Sequence, residues 1–112
     1  MDNKLLKRNI ASAGVWFVGE YTGLILEQFN RLESDKNYKN NFIETIFHQQ
    51  GRDKDLGGTR TRVNAVMRII KSNQAKEALE YVVHSSRLEI GEPKAVQKAQ
   101  DALTNISLKR LS

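Results

Sequence analysis

The sequence predicts an all-α domain over residues 1–112, a compact bundle of four to five helices. Three observations predict it. Val63, Val66, Met67 and Ile70 recur at i, i+3, i+4 and i+7, which lays one apolar stripe along a helix. Val96, Ala99, Leu103 and Ile106 form a second, narrower stripe. Polar or glycine-bearing breaks at 33–41, 51–58, 72–73 and 91–93 separate the periodic segments, and none is long enough to divide domains. Composition agrees: 39% hydrophobic and 28% charged residues in a chain of 112 suit one folded core rather than a disordered coil. The chain has no Cys, so disulfide scaffolds, thiol nucleophiles and thiolate zinc sites are excluded.

Asn3 or Asp2 opens the first helix. From Ile10 the pattern Ile10, Ala13, Phe17, Tyr21, Leu24, Gln28 and Leu32 continues at helical period. Gly14, Gly19 and Gly23 weaken it, each by up to ~1 kcal/mol against Ala. The alternative is an α+β fold, with Val15–Val18 and Leu24–Leu26 as a short N-terminal hairpin around a Gly19–Gly23 turn. Helix is the preferred reading, and Gly19 and Gly23 then let a second helix approach closely. The same stretch follows Lys4, Lys7 and Arg8, as the apolar run of a signal peptide would. Glu20 interrupts it, and the part from Ile10 to Gly19 falls well short of the ~20 residues that span a membrane. A cytoplasmic protein with no membrane segment is expected.

Residues 33–41 are polar and asparagine-rich and read as a loop. Asn40 or Asn41 caps a short helix over 42–50, with Phe42, Ile43, Ile46 and Phe47 inward and Gly51 ending it. Two Asp and the Gly57–Gly58 pair make 52–58 a loop. Thr59 caps a helix over 59–72, and Ser72–Asn73 breaks it. A helix over 74–87 follows, with Ala75, Leu79, Val82 and Val83 inward and Lys76 and Glu80 as an exposed i,i+4 pair. Gly91-Glu92-Pro93 opens the last helix, because Pro suits a first turn. Lys109 and Arg110 suit the negative end of its dipole.

The charge distribution carries the functional expectation. The formal net charge is +5, yet residues 1–55 hold eight basic and eight acidic side chains and residues 77–112 hold five of each. The whole surplus lies in 56–76, as Arg60, Arg62, Arg68, Lys71 and Lys76 with no acid. Such a local excess attracts polyanions. With about 100° per residue and Val63 at zero, Arg60, Lys71, Asn64, Arg68 and Thr61 fall between about 60° and 160°, one contiguous polar face. Arg62 projects separately, near the Ile69 side. Arg and Lys neutralise phosphates, and Asn pairs with an adenine edge. At the helix start, free N–H groups, Gly57, Gly58 and the hydroxyls of Thr59 and Thr61 suit an anion. The spacing and lysine of a P-loop are missing.

A small basic nucleic-acid-binding accessory protein is therefore expected, contacting backbone phosphates of DNA or RNA through Thr59, Arg60, Thr61, Arg62, Asn64, Arg68, Lys71 and Lys76. The competing readings are an ordinary solvated face and a protein-interaction module whose same face meets an acidic protein surface. A helix-turn-helix is a poor match. The segment before the basic helix is joined to it by eight residues, where three or four are usual, and the segment after it places the basic helix first. Glu44 with His48 and Glu80 with His84 each share a helix face, but not at the spacing of known helical metal sites. Asp53 and Asp55 flank Lys54 in a pattern that more often solvates a loop than holds a metal. No nucleophile elbow surrounds any Ser. No catalytic residue, metal or cofactor is expected. The seam of the last helix, with Trp16, Phe17, Gly19 and Gly23, leaves a homodimer open as a partner state.

Overall fold

Gly14 decides how the first third of the chain folds. In the computed structural model, which describes residues 3–85 and 92–111, it sits at φ +89° between α1 (Asn3–Ala13) and α2 (Val15–Glu27). That φ is open to Gly and strained for an L side chain. A Cβ there would also lie 2.6 Å from Nη1 of Arg62. Backbone bonds carry the ladder across the bend, from the Gly14 N–H to the Ile10 carbonyl (2.8 Å) and from the Val18 N–H to the Gly14 carbonyl (3.0 Å). Ile10, Ala13, Phe17 and Tyr21 are all buried, so the apolar pattern runs on while the helix axis does not. A second break at Gln28 starts α3 (Phe29–Ser34).

The single helix expected to reach Leu32 is thus three. This raises the expected four to five helices to seven among the described residues, with no strand among them. The hairpin alternative is overturned: Val15–Val18 and Leu24–Leu26 both lie within α2.

The asparagine-rich segment is also helical. Asp35 caps α4 (Lys36–Gln50) by accepting the Tyr38 N–H at 3.0 Å. The expected loop over 33–41 was polar because this first turn and a half faces water: Lys36, Asn37, Asn40 and Asn41 are exposed. Tyr38 turns inward there. Its hydroxyl donates to Gln28, and the Arg31 guanidinium stacks on its ring at 3.9 Å. Gly51 ends α4 in the left-handed conformation, its N–H returned to the Phe47 carbonyl.

Next come α5 (Leu56–Lys71), α6 (Ala75–Val83) and α7 (Pro93–Leu111). Asn73, at φ 58°, makes the turn between α5 and α6. Described helix α6 stops at Val83, short of the expected 87, and residues 86–91 lie outside the described part. So do the side chains of Lys109 and Arg110, on which the dipole expectation rests. Pro93 opens α7 as expected.

Helix α2 packs against α7 most extensively and also meets α5 and α6, while α1 and α4 pack on α5. The buried apolar residues form one cluster, with Phe17, Val18 and Ile25 of α2 beside Ile46, Val66, Ile69, Leu79 and Ala99. Gly19 sets the α2–α7 distance. A Cβ on it would meet the Ala95 carbonyl oxygen at 2.9 Å and Val82 Cγ1 at 2.8 Å. Gly23 is looser, with Ala102 Cβ at 3.2 Å. The close approach expected of these two glycines is therefore made, and its partner is α7 of the same chain. The globule measures 34 × 32 × 26 Å. No helix among the described residues is long and apolar enough to cross a membrane.

Candidate nucleic-acid interface

Helix α5 starts three residues earlier than Thr59. Asp55 is its N-cap, in extended conformation, and its carboxylate accepts the Gly58 N–H at 3.0 Å. Gly57 and Gly58 are inside the first turn, not in a loop. Asp53 lies against Gly58: a Cβ there would be 3.2 Å from the Asp53 carboxylate. The first turn is glycine because an acidic side chain is folded over it.

From that start, burial divides α5 along its length. Thr59, Val63, Ala65, Val66, Met67 and Ile69 are buried. Arg60, Thr61, Arg68 and Lys71 are exposed, with Asn64 half-buried among them. The polar arc projected from the sequence is the arc that faces solvent. Arg60 has no ion pair among the described residues, and neither does Lys76, exposed in the first turn of α6. Lys71 approaches Glu33 at 3.4 Å, but both side chains are largely in water, at 75% and 47% exposure. Such a pair contributes about 0–1 kcal/mol and yields readily to another anion. Arg68 donates through Nε to the side-chain carbonyl of Asn9 at 3.0 Å. That bond fixes the direction of its guanidinium. Thr61 returns its hydroxyl to the Gly57 carbonyl at 3.0 Å.

Two of the expected site residues point elsewhere. Thr59 is fully buried, and its hydroxyl donates to Asp53 Oδ2 at 2.8 Å. Arg62 bonds through Nε to the Asp53 carboxylate at 3.0 and 3.2 Å and through Nη1 to the Ala13 carbonyl at 2.6 Å. Gln50 adds its amide N–H to Asp53 Oδ2 at 2.9 Å and to the Thr59 hydroxyl at 3.2 Å. These contacts tie the end of α4, the start of α5 and the bend at Gly14 to one carboxylate. Burial opposes ionisation of Asp53, but the bonds from Thr59, Arg62 and Gln50 outweigh it and hold the carboxyl below its ordinary range. Asp53 and Asp55 are thus a hub and a cap.

The Glu44–His48 and Glu80–His84 pairs are exposed, and no three His, Asp or Glu converge on a metal-sized site among the described residues. Along the expected α7 seam, Val96 and Ala99 are buried, and Leu103 and Ile106 pack on the core of the same chain. Trp16 is partly buried, with the Arg52 guanidinium stacked 3.8 Å from its ring centroid.

Sequence reasoning missed the part played by α1. Asn9 is buried at 3% exposure and holds Arg68. The pairs Ala13–Arg62 and Asn9–Arg68 show that α1 and α5 run antiparallel. Arg8 is exposed and turns about 100° from Asn9, away from the Leu6, Ile10 and Ala13 stripe. The signal in the sequence is the Lys7-Arg8 pair just ahead of an apolar run, a pattern that a leader peptide shares. No family model matches the chain, and no curated protein or solved structure resembles it significantly.

Proposed function

We propose that the chain binds nucleic acid through its phosphate backbone, on the exposed arc of α5. Arg60, Arg68 and Lys71 form the contact, with Arg8 from α1 and Lys76 from α6 extending it. The observation that carries the reading is the pairing pattern: of the five cations between 56 and 76, Arg62 alone is committed to the interior, while the others stay exposed with at most one weak acidic neighbour. Charge kept unpaired on one helix face is costly to the folded state through self-repulsion and useful to a polyanion-binding one.

The setting of α5 favours backbone contact over base reading. A helix with its side chains is about 10–12 Å across, and the major groove of B-DNA is about 12 Å wide, so an inserted helix must stand proud of its neighbours. Helix α5 has α1 and α4 packed on it and offers a strip, not a free cylinder. Asn64, the one group on that strip suited to an adenine edge, is half-buried. The binding expected is sequence-independent, with Thr59 and Arg62 outside the contact.

Fluorescence anisotropy with labelled duplex DNA, duplex RNA and single strands tests this. The expected result is binding that Arg60→Glu with Arg68→Glu removes without unfolding the protein. Absence of binding to all four at about 50 mM salt, where a few phosphate contacts are strongest, overturns it.

A further inference from the structure

A groove of about 660 Å³ opens between the second half of α2 and α7. Its volume falls in the range of small-molecule sites, about 300–1,000 Å³. Its apolar lining is Leu24, Leu26, Ala102 and Ile106, and Gly23 adds no side chain to fill it. Leu24 is among the few large apolar side chains left exposed, at 37%. An apolar lining alone would say little. The charged groups beside it say more.

Glu20, Glu27 and Asp101 stand around the groove with one cation, Lys98. Lys98 is spent on Glu20 at 2.7 Å. Asp101 accepts only the Gln97 amide at 3.1 Å, and Glu27 has no ion pair among the described residues. Tyr21 lines the groove with its hydroxyl donated to Gln49 at 3.2 Å. Burial first, and then the Glu20 charge, push its phenol above the ordinary value, against a smaller opposing pull from Arg52. In a chain of net charge +5, this is a local negative field beside an apolar lining.

We propose that the α2–α7 groove binds an organic cation, its ammonium group at the Glu27 and Asp101 carboxylates and its apolar body on Leu24, Ala102 and Ile106. Both halves are needed. The carboxylates reject an organic anion, and the lining rewards an apolar body that a simple metal ion lacks.

The test titrates the isotope-labelled protein with phenethylamine, phenylacetate and phenethyl alcohol, which share a ring and differ in charge, and follows backbone amides by NMR. Phenethylamine is expected to shift the Gly23 and Ala102 amides saturably, with Kd on the order of 1 mM. The alcohol should bind roughly fivefold or more weakly, and the anion weaker still. Glu27→Gln with Asp101→Asn should weaken the amine by roughly fivefold and leave the alcohol unchanged. Leu24→Lys, which lays a tethered ammonium into the groove from an exposed position, should abolish amine binding at unchanged melting temperature. Equal affinity for amine and alcohol overturns the proposal, as does amine binding that survives the double variant. No shift at Gly23 or Ala102 up to about 20 mM amine overturns it too.

Discussion

The guanidinium of Arg62 meets the carboxylate of Asp53 at 3.0 Å across nine residues of sequence, with the Asp53 side chain only 8% exposed. The same guanidinium reaches the Ala13 carbonyl, at the bend where Gly14 separates α1 from α2. That arginine therefore ties the end of α1 to α5, where Asn9 lies beneath Arg68. The exposed arc of α5 is held in place in part by an arginine that is not part of it.

Removing one partner should unmask this role. Arg62→Ala leaves the Asp53 carboxylate with two neutral donors and no counter-ion, a loss of about 3 kcal/mol for a mostly buried pair. A melting-temperature drop on the order of 10 °C is expected by calorimetry. A drop of a degree or less contradicts the assignment.

The pH dependence follows from the same group. Asp53 is held below its ordinary range in the folded protein, so its stabilisation is complete above the unfolded value of about 3.9 and is lost as pH falls through the folded one. Melting temperature should therefore decline as acid is added below about pH 4. Asp53→Asn should start lower and decline less steeply. Parallel curves for the two proteins contradict the sign.

Gly19 and Gly23 separate propensity from packing. Replacing a helix-interior Gly by Ala gains up to ~1 kcal/mol of propensity. At Gly19 the new methyl runs into the Ala95 carbonyl, a backbone atom that cannot step aside. Overpacking of this kind costs about 1–3 kcal/mol, so Gly19→Ala should destabilise by denaturant titration. Gly23→Ala, whose methyl meets another methyl at 3.2 Å, should be close to neutral. Equal effects would mean that α7 does not approach α2 through Gly19.

What was legible in the sequence follows from how local each cause is. The α5 polar arc was readable because burial there obeys a single helical period, and Gly51 and Pro93 were readable because each acts on its own backbone. The break at Gly14 was hidden by an apolar pattern that continues across it. Helix α4 was mistaken for a loop over its first residues, since its outer turns carry Lys and Asn and its cap, Asp35, lies upstream of the first apolar pair. Thr59 was read as a cap because hydroxyls favour that position. Asp55 holds it instead, which carries Thr59 into the helix and inside. The Asp53 hub depends on partners at separations of three, six and nine residues, linked onward to Ala13 by Arg62, and no local pattern encodes it.

The salt dependence of duplex DNA binding is the sharpest test of phosphate contact by the α5 arc. Contacts from Arg60, Arg68 and Lys71, with Lys76 and Arg8 beside them, predict that log K falls against log salt with a slope of about −3 to −4.5 for the native chain. Arg60→Gln with Arg68→Gln should make that slope shallower by roughly two, and Asn64→Ala should leave it unchanged. A flat slope for the native chain, or one that the two arginine substitutions do not alter, would mean that α5 does not bind phosphates.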